Sequence, residues 1–137
     1  MKAYKNETVR SVTARKAIFV SVTNALAGLV PDILPTTPLD DVARGFWHAN
    51  DIKVKQCELL VAVDKNIIRG IWEIDTTFGW HPMSKAAIPT RNLSMMVVDP
   101  SRKYCRVTGA ILSGLKGKEL SSVWHGMRMY GPVRYNF

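Results

Sequence analysis

The segment ELLVAVDKNIIRGIWEID, residues 58–75, constrains this chain more than any other stretch. Two apolar, β-branched runs flank Asp64-Lys65-Asn66. A turn this short, with an asparagine able to take positive φ, joins antiparallel strands. On the second strand a period of two places Ile68, Gly70, Trp72 and Ile74 on one face, and Ile67, Arg69, Ile71, Glu73 and Asp75 on the other. Trp72 is therefore expected in the core. Gly70 marks a bulge or a close backbone approach.

The remaining segments add strands around this hairpin. KAIFVSVT (16–23), the continuous apolar run LSMMVVD (93–99), KYCRVTGAIL (103–112) and the closing MYGPVRYNF read as strands or extended chain. The stretch 24–41 holds Pro31, Pro35 and Pro38 and reads mostly as loop, as does 76–92. Short helices are predicted at about 51–57, capped by Asn50 or Asp51, and around Leu120, Val123 and Trp124, ending at Gly126. Five or six strands with few helices exclude a doubly wound α/β sheet. They predict one α+β domain over residues 1–137, a small mixed pseudo-barrel capped by short helices.

Composition narrows the setting. Apolar residues make up 47% and charged residues 22%, a globular balance. Two cysteines, Cys57 and Cys105, form no CxxC pair, so a reducing, cytoplasmic setting is expected. The apolar run after Arg15-Lys16 is interrupted by Ser21, Thr23 and Asn24, which argues against a cleaved leader. No run is long enough to span a membrane. The net charge of +8 is lopsided: residues 1–80 carry ten Lys/Arg against nine Asp/Glu, and residues 81–137 carry nine against two. A one-sided positive field favours polyanions, nucleic acid first among them.

Catalytic and metal patterns are sparse. His48, His81 and His125 pair with no ligand at metal-binding spacing, and no phosphate-loop or nucleophile-elbow motif occurs. No cofactor is expected. Glu73 and Asp75, with His81 nearby, are the one acid–base cluster a small nuclease would use.

Base recognition is better served. ARGFWHAN (43–50) supplies Arg44 for phosphate or stacking, Trp47 for a π-face, and His48 and Asn50 for base edges. Phe46 and Trp47 have opposite parity, so one is core and the other rim. GWHP (79–82) adds Trp80 and His81 on a loop. Arg91, Arg106, Lys116, Lys118, Arg128 and Arg134 complete the candidate phosphate contacts, the lysines lying in GLKGKEL before a predicted helix.

The order of these segments resembles small bacterial and phage domains of the PUA-like superfold, the group that includes EVE, ASCH and YTH domains. The likeness covers residues 40–137: RGFWHAN before a short helix, then the hairpin, then LKGK, then Gly131-Pro132-Val133-Arg134-Tyr135 where Asn-Pro-Ile-Arg-Tyr is usual. It implies a non-catalytic pseudo-barrel that holds RNA, or a plain, modified or flipped DNA base, in a pocket on one side. Arg106-Val107-Thr108-Gly109 lacks the aromatic of that subgroup, and the YTH cage has no residue-by-residue counterpart here. The alternative expectation is a phage or mobile-element effector that binds and inhibits a host protein.

Overall fold

The computed structural model describes residues 3–137, with side chains described from residue 6. In chain order the elements are β1 (Ala3–Asn6), α1 (Val9–Thr13), β2 (Ala17–Ser21), α2 (Thr23–Leu26), α3 (Leu39–Ala43), α4 (Asp51–Val54), β3 (Leu59–Asp64) and β4 (Ile67–Ile74). There follow β5 (His81–Pro82), a 3-10 turn (Leu93–Met95), β6 (Lys103–Tyr104), β7 (Val107–Leu112), α5 (Leu120–Val123) and β8 (Val133–Tyr135). The fold is α+β. A six-stranded mixed sheet runs β1-β7-β4-β3-β2-β8, and β5 and β6 form a separate ribbon. Strands β1 and β8 are its edges among the described residues.

The hairpin is the centre of this sheet. Lys65 and Asn66 both take positive φ, 50° and 63°, the conformation a two-residue hairpin turn of right-handed twist requires. Asn66 is tied in further: its Oδ1 accepts the Met129 N–H at 2.8 Å and its carbonyl accepts the Leu120 N–H at 2.8 Å. Strand β3 is buried on both faces because each face has its own cover. Phe19, Leu59, Val61 and Val63 pack under α1 and the 113–129 segment, with Leu115, Leu120 and Trp124. Ile18, Val20, Leu60 and Ala62 pack with Val42, Ala43, Val54 and Cys57 from the α3–α4 region.

The strict alternation expected along β4 breaks in the middle. Ala62 pairs with Gly70, but Val63 pairs with Ile68, leaving Arg69 as the extra residue of a bulge. Ile68 is thereby turned onto the face of Ile71, opposite Trp72 and Ile74. Gly70 also answers to a close approach, because the Trp72 ring folds across it and a Cβ there would lie 2.4 Å from the indole.

A second expectation fails at LSMMVVD. Residues 93–95 form a 3-10 turn, and Val97 is 85% exposed. Among the described residues no partner strand pairs with it, and local bonds such as Ser94 Oγ to Asn92 Oδ1 at 2.8 Å hold the chain in a turn. The 24–41 loop also carries α2 and α3 at its two ends. Both cysteines are buried and unpaired. Burial pushes the Cys57 thiol up to about 12, against a pull from Lys16 and Lys53, and pushes Cys105 up as well. Among the described residues no helix is long and apolar enough to cross a membrane.

Candidate nucleic-acid interface

Residues 44–48, leaving the end of α3, run alongside the β6 segment and pair with it at Trp47. Trp47 and Lys103 exchange two backbone hydrogen bonds of 3.0 and 2.8 Å, and the Cys105 N–H donates to the Arg44 carbonyl at 3.0 Å. Gly45 makes the contact close: a Cβ there would lie 2.8 Å from the Cβ of Tyr104. Of the two aromatics, Phe46 is core and Trp47 rim. Phe46 packs with Met83, Ile88 and Met96, edge-on to Tyr104 with centroids 5.8 Å apart. Trp47 is half-buried against the sheet, its Nε1–H donating to the Ala43 carbonyl at 2.7 Å.

The β5–β6 ribbon carries an aromatic and cationic pile on its outer side. Asp75 Oδ1 accepts from the N–H groups of Thr77 and Phe78 at 3.1 and 3.0 Å and so fixes the turn that presents Phe78. The His81 ring lies 4.3 Å from that of Phe78, and its Nε2–H donates to the Phe78 carbonyl at 2.6 Å. Tyr104 stands 5.8 Å from Phe78. Arg106 lays its guanidinium over Phe78 at 4.1 Å. Among the described residues no carboxylate or carbonyl engages the Arg106 N–H groups.

Arg44 is more occupied. It donates from Nε to Asp41 Oδ1 at 2.8 Å and from Nη1 to the Cys105 carbonyl at 3.1 Å. With Asp40, Asp41, Arg106 and Val107 it lines a hollow of about 210 Å³ beside the pile. On the other side of the 44–48 segment lies a groove of about 1050 Å³, which Gly45, Phe46, Trp47 and His48 border. His48 stands on its rim, Nε2 3.7 Å from Asp99 Oδ2 and Nδ1 3.4 Å from Ser101 Oγ. Hydrogen bonds from Ser101, then the charges of His48 and Arg102, hold the Asp99 carboxyl below the usual range.

No family model, curated protein or solved structure matches this chain.

Six of the predicted residues thus gather around residues 101–106: Arg44, Trp47, His48, Trp80, His81 and Arg106. Within that group Trp80 serves the core, half-buried against the second face of the sheet. The other predicted residues go elsewhere. Asn50 is the cap of α4, its Oδ1 accepting from the Ile52 and Lys53 N–H groups at 3.0 and 2.9 Å. Arg91 corrects its expectation outright: it is 5% exposed, so it reaches no phosphate. Its Nη1 bonds Asp32 Oδ2 at 3.0 Å and its Nη2 meets the Gly45 carbonyl. Burial lowers its pKa, and Asp32 opposes that shift. Lys116 and Lys118 belong to the cover of the first face, where the Gly117 N–H donates to the Ile68 carbonyl at 2.7 Å. Arg134 donates to the Arg128 carbonyl and lies 5.0 Å over the Tyr130 ring, beside the groove lining at Met129 and Pro132.

The acid–base cluster is divided among other duties. Glu73 binds Arg15 at 3.0 Å, with Glu7 and Glu58 on the same guanidinium. Asp75 holds its turn, and His81 is spent on Phe78. No group of His, Cys, Asp or Glu able to hold a metal ion occurs among the described residues. Phe78 and Tyr104, central to the pile, are absent from the sequence prediction; the alternation of cations and an aromatic in RKYCR (102–106) was the available signal.

Proposed function

We propose that this chain binds nucleic acid, DNA or RNA, without catalysis, on the outer side of the β5–β6 ribbon. The observation that carries the reading is the Arg106–Phe78–His81 pile. It joins an exposed guanidinium, whose donors no carboxylate or carbonyl engages among the described residues, to a cluster of mutually tilted aromatic rings on the ribbon. Unpaired bases stack on aromatic faces and guanidinium planes, and free arginine donors take phosphate oxygens. Arg44 lines the hollow next to Arg106, and His48 and Arg102 extend the polar edge along the same segment. Backbone bonds between Trp47 and Lys103 hold the 44–48 segment against the ribbon. The resemblance of the segment order to PUA-like domains favours a pseudo-barrel, and the register shifts at Ala62/Val63 and Glu73/Ile74 are where such a sheet would bend. Two buried free thiols favour a reducing, cytoplasmic setting.

Fluorescence anisotropy with labelled single-stranded and duplex DNA and RNA tests the reading. Binding is expected to weaken steeply between about 50 and 200 mM salt. It is expected to weaken further in Arg106→Glu and His81→Ala, both exposed positions whose replacement leaves the core intact. No binding to any of the oligonucleotides at about 50 mM salt removes the proposal.

A further inference from the structure

Two loops of this protein are held open to solvent in an apolar state. Of eleven exposed large apolar residues among those described, seven lie on residues 24–39 and 86–98: Leu26, Leu29, Leu34, Leu93, Met95, Val97 and Val98. Leu29 is 70%, Met95 53% and Val97 85% exposed. The loops are stitched together. Arg91 pairs with Asp32, the Asn92 N–H donates to the Asp32 carbonyl at 2.8 Å, and Thr37 Oγ1 donates to the Thr90 carbonyl at 3.2 Å. Asp32 and Arg91 are the only charged residues in the two stretches, and they neutralise each other. The surface presented is therefore rigid, apolar and uncharged, in a chain of net charge +8. Such a patch costs stability in water and gains it back when covered.

We infer that these loops dock an extended apolar segment of another protein that carries acidic residues at its flanks. The groove of about 1050 Å³ supplies the seat, with Leu29, Ile33, Met95 and Val97 on its loop wall and Phe46 and Met129 across from it. One border is cationic: Lys65 lines it, and Arg128 and Arg134 flank Met129 and Pro132. The lining carboxylates are already matched, Asp32 by Arg91 and Asp99 by Arg102 and His48. Carboxylates beside an apolar stretch meet this border with complementary charge. A second copy would bring a cationic border against a cationic border. A nucleic-acid backbone would find no phosphate partner along either loop. The inference rests on no part of the nucleic-acid reading, which concerns the ribbon.

Panning a displayed random-peptide library on the full chain tests it. The expected peptides combine a Leu, Ile, Met or Phe cluster with flanking Asp or Glu. Synthetic copies should lose at least about tenfold in affinity for Leu29→Asp and for Val97→Asp, a loss typical of one desolvated apolar anchor. Both positions are exposed, so unchanged melting temperatures identify the loss as local. Lys65→Glu combined with Arg128→Glu, both exposed positions, should weaken the acidic peptides and favour basic-flanked analogues. Selection without a consensus, or peptides indifferent to Leu29→Asp and Val97→Asp, overturns the inference. So does a concentration-dependent dimer in sedimentation that Val97→Asp dissolves, or oligonucleotide binding lost in Val97→Asp and kept in Arg106→Glu.

Discussion

Tyr104 packs onto Gly45 so closely that no room is left for a methyl group: an added Cβ would fall 2.8 Å from the tyrosine Cβ and 3.1 Å from Ile88 Cδ1. This contact seats the ribbon on the 44–48 segment. Gly45→Ala is expected to destabilise the protein by about 1–3 kcal/mol, as overpacking does. That corresponds to a melting temperature lower by roughly 4–12 °C for a domain of this size. Thermal denaturation followed by circular dichroism checks it; an unchanged midpoint would place the ribbon off the 44–48 segment in solution.

Arg106 separates charge from stacking. Lysine keeps the positive charge but loses the planar contact with Phe78. Arg106→Lys should therefore retain the salt dependence of oligonucleotide binding while losing roughly 1 kcal/mol of affinity, the size of one stacking contact. Arg106→Ala should lose both. Anisotropy titrations at several salt concentrations distinguish the two variants, and equal behaviour would remove stacking from the account.

The Asp32–Arg91 pair is buried enough for its breakage to be costly. Arg91→Met strands the Asp32 carboxylate, and a loss of about 3–5 kcal/mol is expected in urea denaturation. Combining it with Asp32→Leu should restore part of that loss. Restoration stays partial because Arg91 also donates to the carbonyls of Asp41, Val42 and Gly45. Strict additivity of the two substitutions would contradict the pair.

Alkaline stability follows from the thiols. The folded Cys57 thiol ionises near 12, above an unfolded thiol's value of 9.0. Between those values the folded state holds the proton that the unfolded state has released. Stability is thus intact below about pH 9 and falls as pH rises toward 12, by up to about 1.4 kcal/mol per pH unit for one thiol. Denaturant midpoints from pH 7 to 11 measure this, and Cys57→Ala should flatten the decline. Thiol reagents should leave both cysteines unmodified at neutral pH until the chain unfolds.

The parts of the fold legible in the sequence are those where a local signal had no competitor. The 58–75 hairpin, its turn and the α4 cap at Asn50 are such places. Period counting failed on the N-terminal side of Gly70 because one extra residue at Arg69 reverses the parity there; Gly70 signalled a bulge or a close approach, but not which residue would be the extra one. LSMMVVD misled because an apolar run reports affinity for an apolar surface without saying whether the surface lies inside the molecule. At the site, Arg44 and Arg106 were legible as cations near aromatics. Phe78 was not, because the residue that stacks on it lies on another segment of the chain, and only the β5–β6 pairing brings the two together.

The stitching of the two solvent-facing loops has a consequence for how this protein changes over generations. Their shape is set by one ion pair and by backbone bonds at Asp32 and Thr90, so the outward side chains of Leu29, Met95 and Val97 do not determine it. Substitution at those three exposed positions is expected to leave the frame that displays them in place. Selection can thus retarget the surface one substitution at a time.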